Sequence, residues 1–330
     1  MVVYLFMETF DKMLLENKDG VEFKHAIESD MLKMIEDGSE DTFVFFSSPF
    51  DSHYFELDKL KDKKNVFLFL REDDVKMLKK IEGISKTLRL PKIVAEGVDP
   101  GMFAGMDRTN SYIIKAKWQA RGMGKHIVKD KFDLLRIFDV VLNGVKVSSL
   151  YPEFPEYNKP LDEYNEAERV RIFNIINNVD VGRVRLDDPD EVTRLYRALK
   201  KNSVQIQEVI KFDNEYRVLY FNGTSIDDTL VWKRTGYKPG DNTKSKNELV
   251  SLKKEVGAGK AKTILREINR IGDSLGIPGL SFDLWTNSDG EFGIFEYSVQ
   301  FGLAQPPEIV RIVSKQYTDA FIKVLKEKRK

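Results

Sequence analysis

The chain has 330 residues, of which 42% are hydrophobic, and its 53 Lys and Arg residues are balanced by 53 Asp and Glu residues. This length and apolar fraction suffice for about two domains with buried cores, which argues against disorder as the main state. A formal net charge of zero disfavours general binding to nucleic acid or anionic membranes. The absence of cysteine excludes disulfides, a thiolate nucleophile and Cys-ligated metal sites, and it fits a cytoplasmic protein.

The apolar runs of the chain are short. The first ends at Glu8 and has no basic stretch ahead of it, which is not typical of a signal peptide. No other run approaches the ~20 residues that are needed to cross a bilayer. We therefore expect a soluble protein that does not engage a membrane.

Residues 1–95 are predicted to form an N-terminal α/β domain. Two apolar runs of strand length, 42–46 and 65–70, are separated by a charged stretch, and the second is followed by a helical pattern over 73–81. Strands that alternate with helical segments indicate a parallel sheet. Gly and Pro residues between 90 and 110 then mark a boundary.

The middle of the chain, residues 96–204, is predicted to be a second domain. A strand at 112–114 runs directly into a basic, Gly-containing loop at 115–125. An apolar stripe over 130–142 predicts a helix after this loop.

Residues 205–330 are predicted to form a third domain that begins with strands. A polar stretch at 239–260 is interpreted as a mobile loop. The other predicted elements are strands at 207–210 and 217–221, a helix over 260–275, paired strands at 281–285 and 292–297, and a C-terminal helix with a basic end.

The basic loop is the first candidate for chemistry. Residues 111–130 contain five Lys and Arg residues and one Asp, a local net charge of +4. Two glycines in such a loop, Gly122 and Gly124, offer backbone N–H groups to a polyphosphate. A solvated basic hairpin is the alternative, and it is the commoner one for a single Gly-x-Gly. The spacing is not that of a Walker A loop.

The paired strands near the C-terminus carry the second candidate. Asp283 and Glu296 lie level when the turn is centred between Asp289 and Gly290, and residues 281–300 contain four acids and no Lys or Arg. Paired carboxylates suit Mg²⁺ that is shared with phosphate oxygens, whereas two unrelated surface acids are the alternative. Because their neighbours are apolar, acids on one face of a buried hairpin need a compensating cation, and a metal is the simpler explanation.

The segment 207–217 is the third candidate, although by itself it is predicted as an ordinary strand, turn and strand. The three histidines are scattered without ligand spacing. A histidine metal site and a Ser-His-Asp triad are therefore not predicted.

In this order, the three candidates resemble the ATP-grasp superfamily. Ile113-Ile114-Lys115-Ala116 and the glycines that follow are similar to the Lys strand and phosphate loop of its carboxylases and ligases. Gln207-Glu208-Val209-Ile210 resembles its adenine hinge. Glu215-Tyr216-Arg217-Val218 is similar to the acid-x-Arg step of the ribosomal-protein glutamate ligase branch.

The resemblance also implies site residues. The metal pair of the family falls on Asp283 and Glu296, and Ser298 stands where Glu-x-Asn usually has its Asn. These three are the expected ligands of Mg²⁺, or of Mn²⁺ in its place. Arg217 and Arg234 are expected to hold the substrate carboxylate and the developing charge. The expected ATP contacts are Lys115, Lys117, Arg121, Gly122, Gly124, Lys125, Gln207, Glu208, Val209, Ile210, Asp213 and Glu215.

The implied fold is α/β: an N-terminal domain at 1–95, then an ATP-grasp fold with subdomains at 96–204 and 205–330. The implied function is an ATP-dependent ligase that joins a small-molecule or peptide carboxylate to an amine through an acyl-phosphate, releasing ADP and phosphate. A homodimer is a family-level expectation. The alternatives are an ATP-grasp phosphotransferase, a nucleotide-binding protein without ligase activity, and a nucleic-acid-modifying accessory enzyme.

Overall fold

The computed structural model describes residues 1–7, 15–47, 57, 59–70, 74–98, 101, 106–107, 109–116, 125–177, 189–235, 246–299 and 307–328. The chain divides into two compact units. The first consists of Met1–Leu90, Phe212–Lys233 and Asn247–Lys330, and the second of Pro91–Lys211 and Arg234–Lys246. The three-domain division expected from the sequence stays a prediction. Within the described ranges, no helix is long and apolar enough to span a membrane.

The first unit begins with a parallel sheet. Its elements are β1 (Val2–Met7), β2 (Glu22–His25), α1 (Glu28–Glu36), β3 (Thr42–Ser47), β4 (Val66–Leu70) and α2 (Asp74–Ile84). The strands lie in the order β2-β1-β3-β4, and neighbours pair in parallel. The predicted parallel pairing of the two apolar runs is confirmed, as is the helix after the second run. The sequence patterns did not predict β1 and β2.

The second unit contains an antiparallel sheet with helices on one face. Its elements are β5 (Ile93–Glu96), β6 (Tyr112–Ala116), β7 (Lys125–Val128), α3 (Lys131–Leu142), α4 (Val147–Leu150), α5 (Glu166–Asn177), α6 (Pro189–Lys200) and β8 (Val204–Glu208). The strand order is β5-β8-β6-β7. The predicted helix after the basic loop is confirmed as α3, whose first N–H groups are capped by the Asp130 carboxylate.

The core of the second unit determines which side chains its sheet presents on the other face. Tyr112, Ile114, Val204 and Ile206 are buried in one cluster with residues of α3, α5 and α6. Because side chains alternate along a strand, the intervening residues of β6 and β8 point away from these helices. The residues on that second face include the candidates Lys115 and Gln207.

The rest of the first unit is a five-stranded sheet and its helices, except that residues 234–235 and Lys246 of two of these strands belong to the second unit. Its elements are β9 (Asn214–Phe221), β10 (Val231–Thr235), β11 (Lys246–Leu249), α7 (Leu252–Val256), α8 (Ala258–Leu275), β12 (Gly279–Thr286), β13 (Phe292–Ser298) and α9 (Pro307–Lys328). The order is β11-β10-β9-β12-β13.

The predicted mobile loop at 239–260 is wrong over its second half, because residues 246–260 form β11, α7 and the first turn of α8. Polar residues are tolerated in β11 because it is an edge strand. Leu252 is buried at the start of α7. The other half, 239–245, lies outside the described residues.

Helix α9 fixes the five-stranded sheet within the first unit. Its apolar stripe, with Tyr317 and Phe321 at its centre, is buried in one cluster with Phe221 of β9 and Phe46 of β3. Each such side chain contributes roughly 1.5–3 kcal/mol when it leaves water. The frame that carries β9, β12 and β13 is therefore held by ordinary apolar packing.

Candidate functional site

The hairpin of β12 and β13 brings the two predicted metal ligands together. Asp283 lies directly opposite Glu296 in the antiparallel register, so their level placement is confirmed. Ser298, two residues further along β13, lies opposite Ser281. The register then shifts after Asp283, which leaves Phe295 as an extra residue of β13. Because directly opposed residues share a face of the sheet, the two carboxylates and Ser298 lie on one side.

Strand β9 places an arginine on the same face. Arg217 is directly opposite Asp283 across β9 and β12. Its Nε donates to Oδ1 of Asp283 at 2.9 Å, and its Nη2 donates to Oδ2 at 3.0 Å. The side chain of Asp283 is 9% exposed and that of Arg217 is 32% exposed. This is a bidentate, charge-assisted pair, the strongest kind that a carboxylate makes in a protein.

Two further carboxylates act on the same guanidinium. Desolvation lowers the pKa of Arg217, but Asp283 and, after it, Glu296 and Glu215 raise the pKa above the ordinary arginine value. Glu215 is itself buried and lies two residues before Arg217 on the same face of β9. Arg217 therefore supplies a compensating cation for the acids on this face of the hairpin. Its expected role in holding a substrate carboxylate stays a prediction.

The donors on this face fit Mg²⁺ with substrate phosphates better than a metal held by protein alone. Within the described residues, no group of three or more His, Cys, Asp or Glu side chains is arranged to hold a metal. Magnesium commonly takes one or two carboxylates and completes its shell with waters and phosphates. Asp283 and Glu296 are the two carboxylates on this face, and a carboxylate oxygen can accept more than one bond.

Aromatic side chains border the carboxylates, and the sequence patterns did not indicate their place beside the site. Trp285 lies opposite Glu215, and its buried indole N–H has no acceptor among the described residues. Its ring centroid is 6.3 Å from that of Phe295, and Phe295 contacts Phe212 at 5.1 Å. Because side chains alternate along a strand, the place of Trp285 two residues after Asp283 could have indicated that the indole shares the face of this carboxylate. Such a group suits the flat face of a ligand ring.

In the second unit, the predicted phosphate-binding lysine lies on the non-helical face of the sheet, the face that points away from the helices. Lys115 is 5% exposed and lies opposite Gln205 on β8 and opposite Lys125 on β7. The side chain of Lys125 is not described. Lys117, Arg121, Gly122 and Gly124 fall within 117–124, outside the described residues. The structure therefore describes the start and end of the predicted loop, and the loop's role stays a prediction.

The predicted adenine hinge begins on β8. Gln207 is 1% exposed, and its Nε2 has no acceptor among the described residues. Glu208 accepts from Lys92 at 2.8 Å. The N–H of Val209 donates to the Ser111 carbonyl at 2.9 Å, whereas the N–H of Ile210 has no acceptor in the described part of the chain. A buried donor without an acceptor costs about 1–3 kcal/mol, which a ligand could recover.

The remaining candidates are spread over both units. Asp213 is exposed, and its N–H donates to the Thr286 carbonyl at 2.9 Å in the first unit. Arg234 is half-buried on β10 and belongs to the second unit. Its neighbour Lys233 is bound to Glu255 at 2.7 Å, and that contact raises the pKa of Lys233. The structure brings Glu215, Arg217, Asp283 and Glu296 together, and it leaves Asp213 and Arg234 as separate candidates.

Solved structures resemble the chain over nearly its whole length. D-alanine–D-alanine ligase from Bacillus anthracis, in complex with ATP, matches 100% of this chain and 98% of its own at 14% identity, with a TM-score of 0.53. The same ligase in a second structure gives a TM-score of 0.51 at 14% identity, over 100% of this chain and 97% of that one. N5-carboxyaminoimidazole synthetase from Staphylococcus aureus matches 98% of this chain and 76% of its own at 8% identity, with a TM-score of 0.53.

No protein-family model and no curated protein sequence matches the chain. At identities of 8–14% the structural likeness concerns the fold. The predicted fold class is confirmed: the chain has the ATP-grasp ligase fold.

Proposed function

We propose that the protein is an ATP-dependent ligase that joins a carboxylate to an amine through an acyl-phosphate. The observation that carries this proposal is the in-register pair Asp283 and Glu296 on the hairpin of an ATP-grasp fold. Two acids that face the same way beside a half-buried arginine suit a magnesium–nucleotide complex better than a structural ion pair. The ATP complex of the Bacillus anthracis ligase, whose fold is similar, supports the same choice of nucleotide.

The second unit supplies groups that suit the nucleotide itself. The ammonium of Lys115 would neutralise phosphate charge, and it is a buried point charge rather than a solvated surface lysine. Gln207 and the Ile210 N–H offer donors that lack acceptors among the described residues, and a purine carries ring nitrogens that accept hydrogen bonds. Phe212 and Phe295 provide apolar faces in the first unit.

The chain's own residues would then act by position and charge. An oxygen of the substrate carboxylate attacks the γ-phosphorus, the bond to the β-phosphate oxygen breaks, and ADP leaves with the bonding pair. Arg217 and Arg234 would orient the carboxylate and stabilise the charge that develops on the phosphoryl oxygens. Mg²⁺, held by Asp283, Glu296 and Ser298, neutralises negative charge on the phosphates when bound. An amine then attacks the acyl carbon, phosphate leaves, and the amine loses a proton.

The substrates are proposed to be a small-molecule or peptide carboxylate and an amine. The test is an ADP-release screen of carboxylate and amine pairs with ATP and Mg²⁺, followed by mass spectrometry of the product. The proposal expects ADP release that needs both substrates, and a product heavier than the carboxylate by the amine minus one water.

Two results would replace the proposal by its alternatives. A stable product that carries the phosphoryl group, with no amine required, would make the protein a phosphotransferase. Nucleotide binding without ADP release for any pair would make it a binding protein without ligase activity.

A further inference from the structure

The guanidinium of Arg217 is bound to one carboxylate and is influenced by the charges of two others. It donates to both oxygens of Asp283 at 2.9 and 3.0 Å, and the charges of Glu296 and Glu215 also act on it. The group that is expected to attract a metal is therefore already partly neutralised by an arginine of the chain.

Direct contact makes Arg217 a competitor of the metal. A divalent ion bound to Asp283 would lie within a few ångströms of the guanidinium, and like charges at that distance repel strongly where water is scarce. The side chain of Asp283 is 9% exposed, so solvent screens this repulsion only weakly. The phosphates of a nucleotide would bring enough negative charge to bind both cations at once.

We propose that Arg217 is a positioning residue that serves as a built-in counter-ion for Asp283: it holds this carboxylate in the nucleotide-free protein and makes divalent metal binding depend on the nucleotide. The inference rests on the proposed function, because that function assigns Asp283 and Glu296 to the metal. Its consequence is that the free protein binds Mg²⁺ or Mn²⁺ alone weakly and keeps its stability without them.

The test uses the full chain without nucleotide. Binding of Mn²⁺ is followed by the electron paramagnetic resonance signal of the free ion, and thermal unfolding is compared in EDTA and in Mg²⁺. In the wild-type protein, we expect weak Mn²⁺ binding and the same melting temperature in both buffers. Micromolar Mn²⁺ binding together with a higher melting temperature in Mg²⁺ would overturn the proposal without any variant.

Removal of the arginine charge sharpens the test. In Arg217→Met, Asp283 loses its bidentate partner, so the melting temperature in EDTA should fall by roughly 5–10 °C and recover in Mg²⁺. Mn²⁺ should bind about 10- to 100-fold more tightly than it binds the wild-type protein, the usual size of an effect on a metal through a ligand's partner. Arg217→Met together with Asp283→Asn should lose that gain.

Two further variants are controls. Arg217→Lys keeps the charge and should retain weak Mn²⁺ binding. Arg270→Met removes an exposed arginine that pairs with Glu267 on α8, and should leave Mn²⁺ binding unchanged. If Arg217→Met folds only in Mg²⁺, the proposal is supported. If it does not fold at all, Arg217→Lys decides, because tight Mn²⁺ binding by that variant contradicts a counter-ion role.

Failure of this inference can be told from failure of the proposed function. If ADP release proceeds normally while Arg217→Met gains no Mn²⁺ affinity, the ligase proposal stands and the counter-ion role falls. If the Mn²⁺ pattern holds while ADP is never released, the counter-ion role stands and the ligase proposal falls.

Discussion

The two sheets that carry the candidate residues bury their polar groups in opposite ways. In the first unit, Asp283 is buried against a bidentate arginine, so the charged groups of β9 and β12 compensate one another. In the second unit, Gln207 is buried with an amide nitrogen that has no acceptor among the described residues. In the first unit, the buried carboxylate of Asp283 has a partner within the chain before any ligand arrives, whereas the second unit retains an unused donor.

This difference indicates where a ligand would add most. A ligand that reaches the sheet of the second unit can recover the cost of a buried donor, which is about 1–3 kcal/mol. A metal that reaches the hairpin of the first unit must instead compete with Arg217 for Asp283.

The largest effect is expected at the ion pair of Asp283 and Arg217. Asp283→Asn removes a charge that Mg²⁺ and Arg217 both use, so ATP turnover should fall about 10³-fold, which corresponds to several kcal/mol of transition-state stabilisation. The measurement is ADP release at saturating ATP. Asp289→Asn, in the exposed turn of the same hairpin, is the matched control and should keep full turnover. Turnover that survives in Asp283→Asn would remove the carboxylate pair from the site.

The next largest effect is expected at the buried lysine of the second unit. Lys115→Ala deletes a point charge from the non-helical face of β6, so turnover should fall about 10²-fold through lost phosphate stabilisation. Lys201→Ala, at an exposed position after α6, is the control of equal charge. Circular dichroism should show that both variants fold. Equal turnover in the two variants would contradict a role for Lys115.

A smaller effect tests the frame around the hairpin. A Cβ at Gly293 would clash with the carbonyl oxygen of Arg89, which accepts a hydrogen bond from the Ile294 N–H. Gly293→Ala should therefore lower the free energy of unfolding by about 2 kcal/mol. Gly83→Ala in α2, where nothing lies within 4 Å of the new Cβ, should be neutral or stabilising. Urea unfolding measures both, and equal stability would show that the close approach is not rigid.

The smallest effect is expected at the unused donor. Gln207→Leu removes a buried amide without an acceptor, so the ligand-free protein should gain about 1 kcal/mol of stability. If the amide serves the nucleotide, the same variant should bind a non-hydrolysable ATP analogue about tenfold more weakly, as the loss of one hydrogen bond implies. Calorimetry measures the affinity. A variant that is less stable and binds the analogue normally would show that Gln207 is structural.

The sequence predicted the local parts of the site and missed the distant contacts. The level placement of Asp283 and Glu296 was predicted from a turn centred between Asp289 and Gly290, whereas the pairs next to the turn, such as Thr286 and Phe292, are centred on Asp289. The two acids oppose each other because Phe295 is an extra residue of β13, and no sequence pattern indicated that bulge. The contact between Arg217 and Asp283 joins positions 66 residues apart, and no turn links them. Their pairing depends on β9 lying beside β12, which only the folded sheet determines.

Elements with weak apolar patterns were also beyond prediction. β11 is an edge strand of polar residues, so neither alternation nor an apolar run distinguished it from a loop. Strand β3 of the N-terminal sheet was the opposite case, because its buried aromatic run predicts a strand from composition alone. The unused donor of Gln207 left no sequence signal, since an amide in a strand is equally compatible with a solvated position.

The most direct test of the ligase proposal is a trap for the acyl-phosphate. The full chain is incubated with ATP, Mg²⁺, hydroxylamine and one carboxylate at a time, and hydroxamate and ADP are both measured. Hydroxylamine attacks the acyl carbon in place of the natural amine, so the account predicts hydroxamate and ADP in equal amounts with the correct carboxylate, and neither product with Asp283→Asn. ADP released together with a stable phosphorylated product, and without hydroxamate, would contradict it.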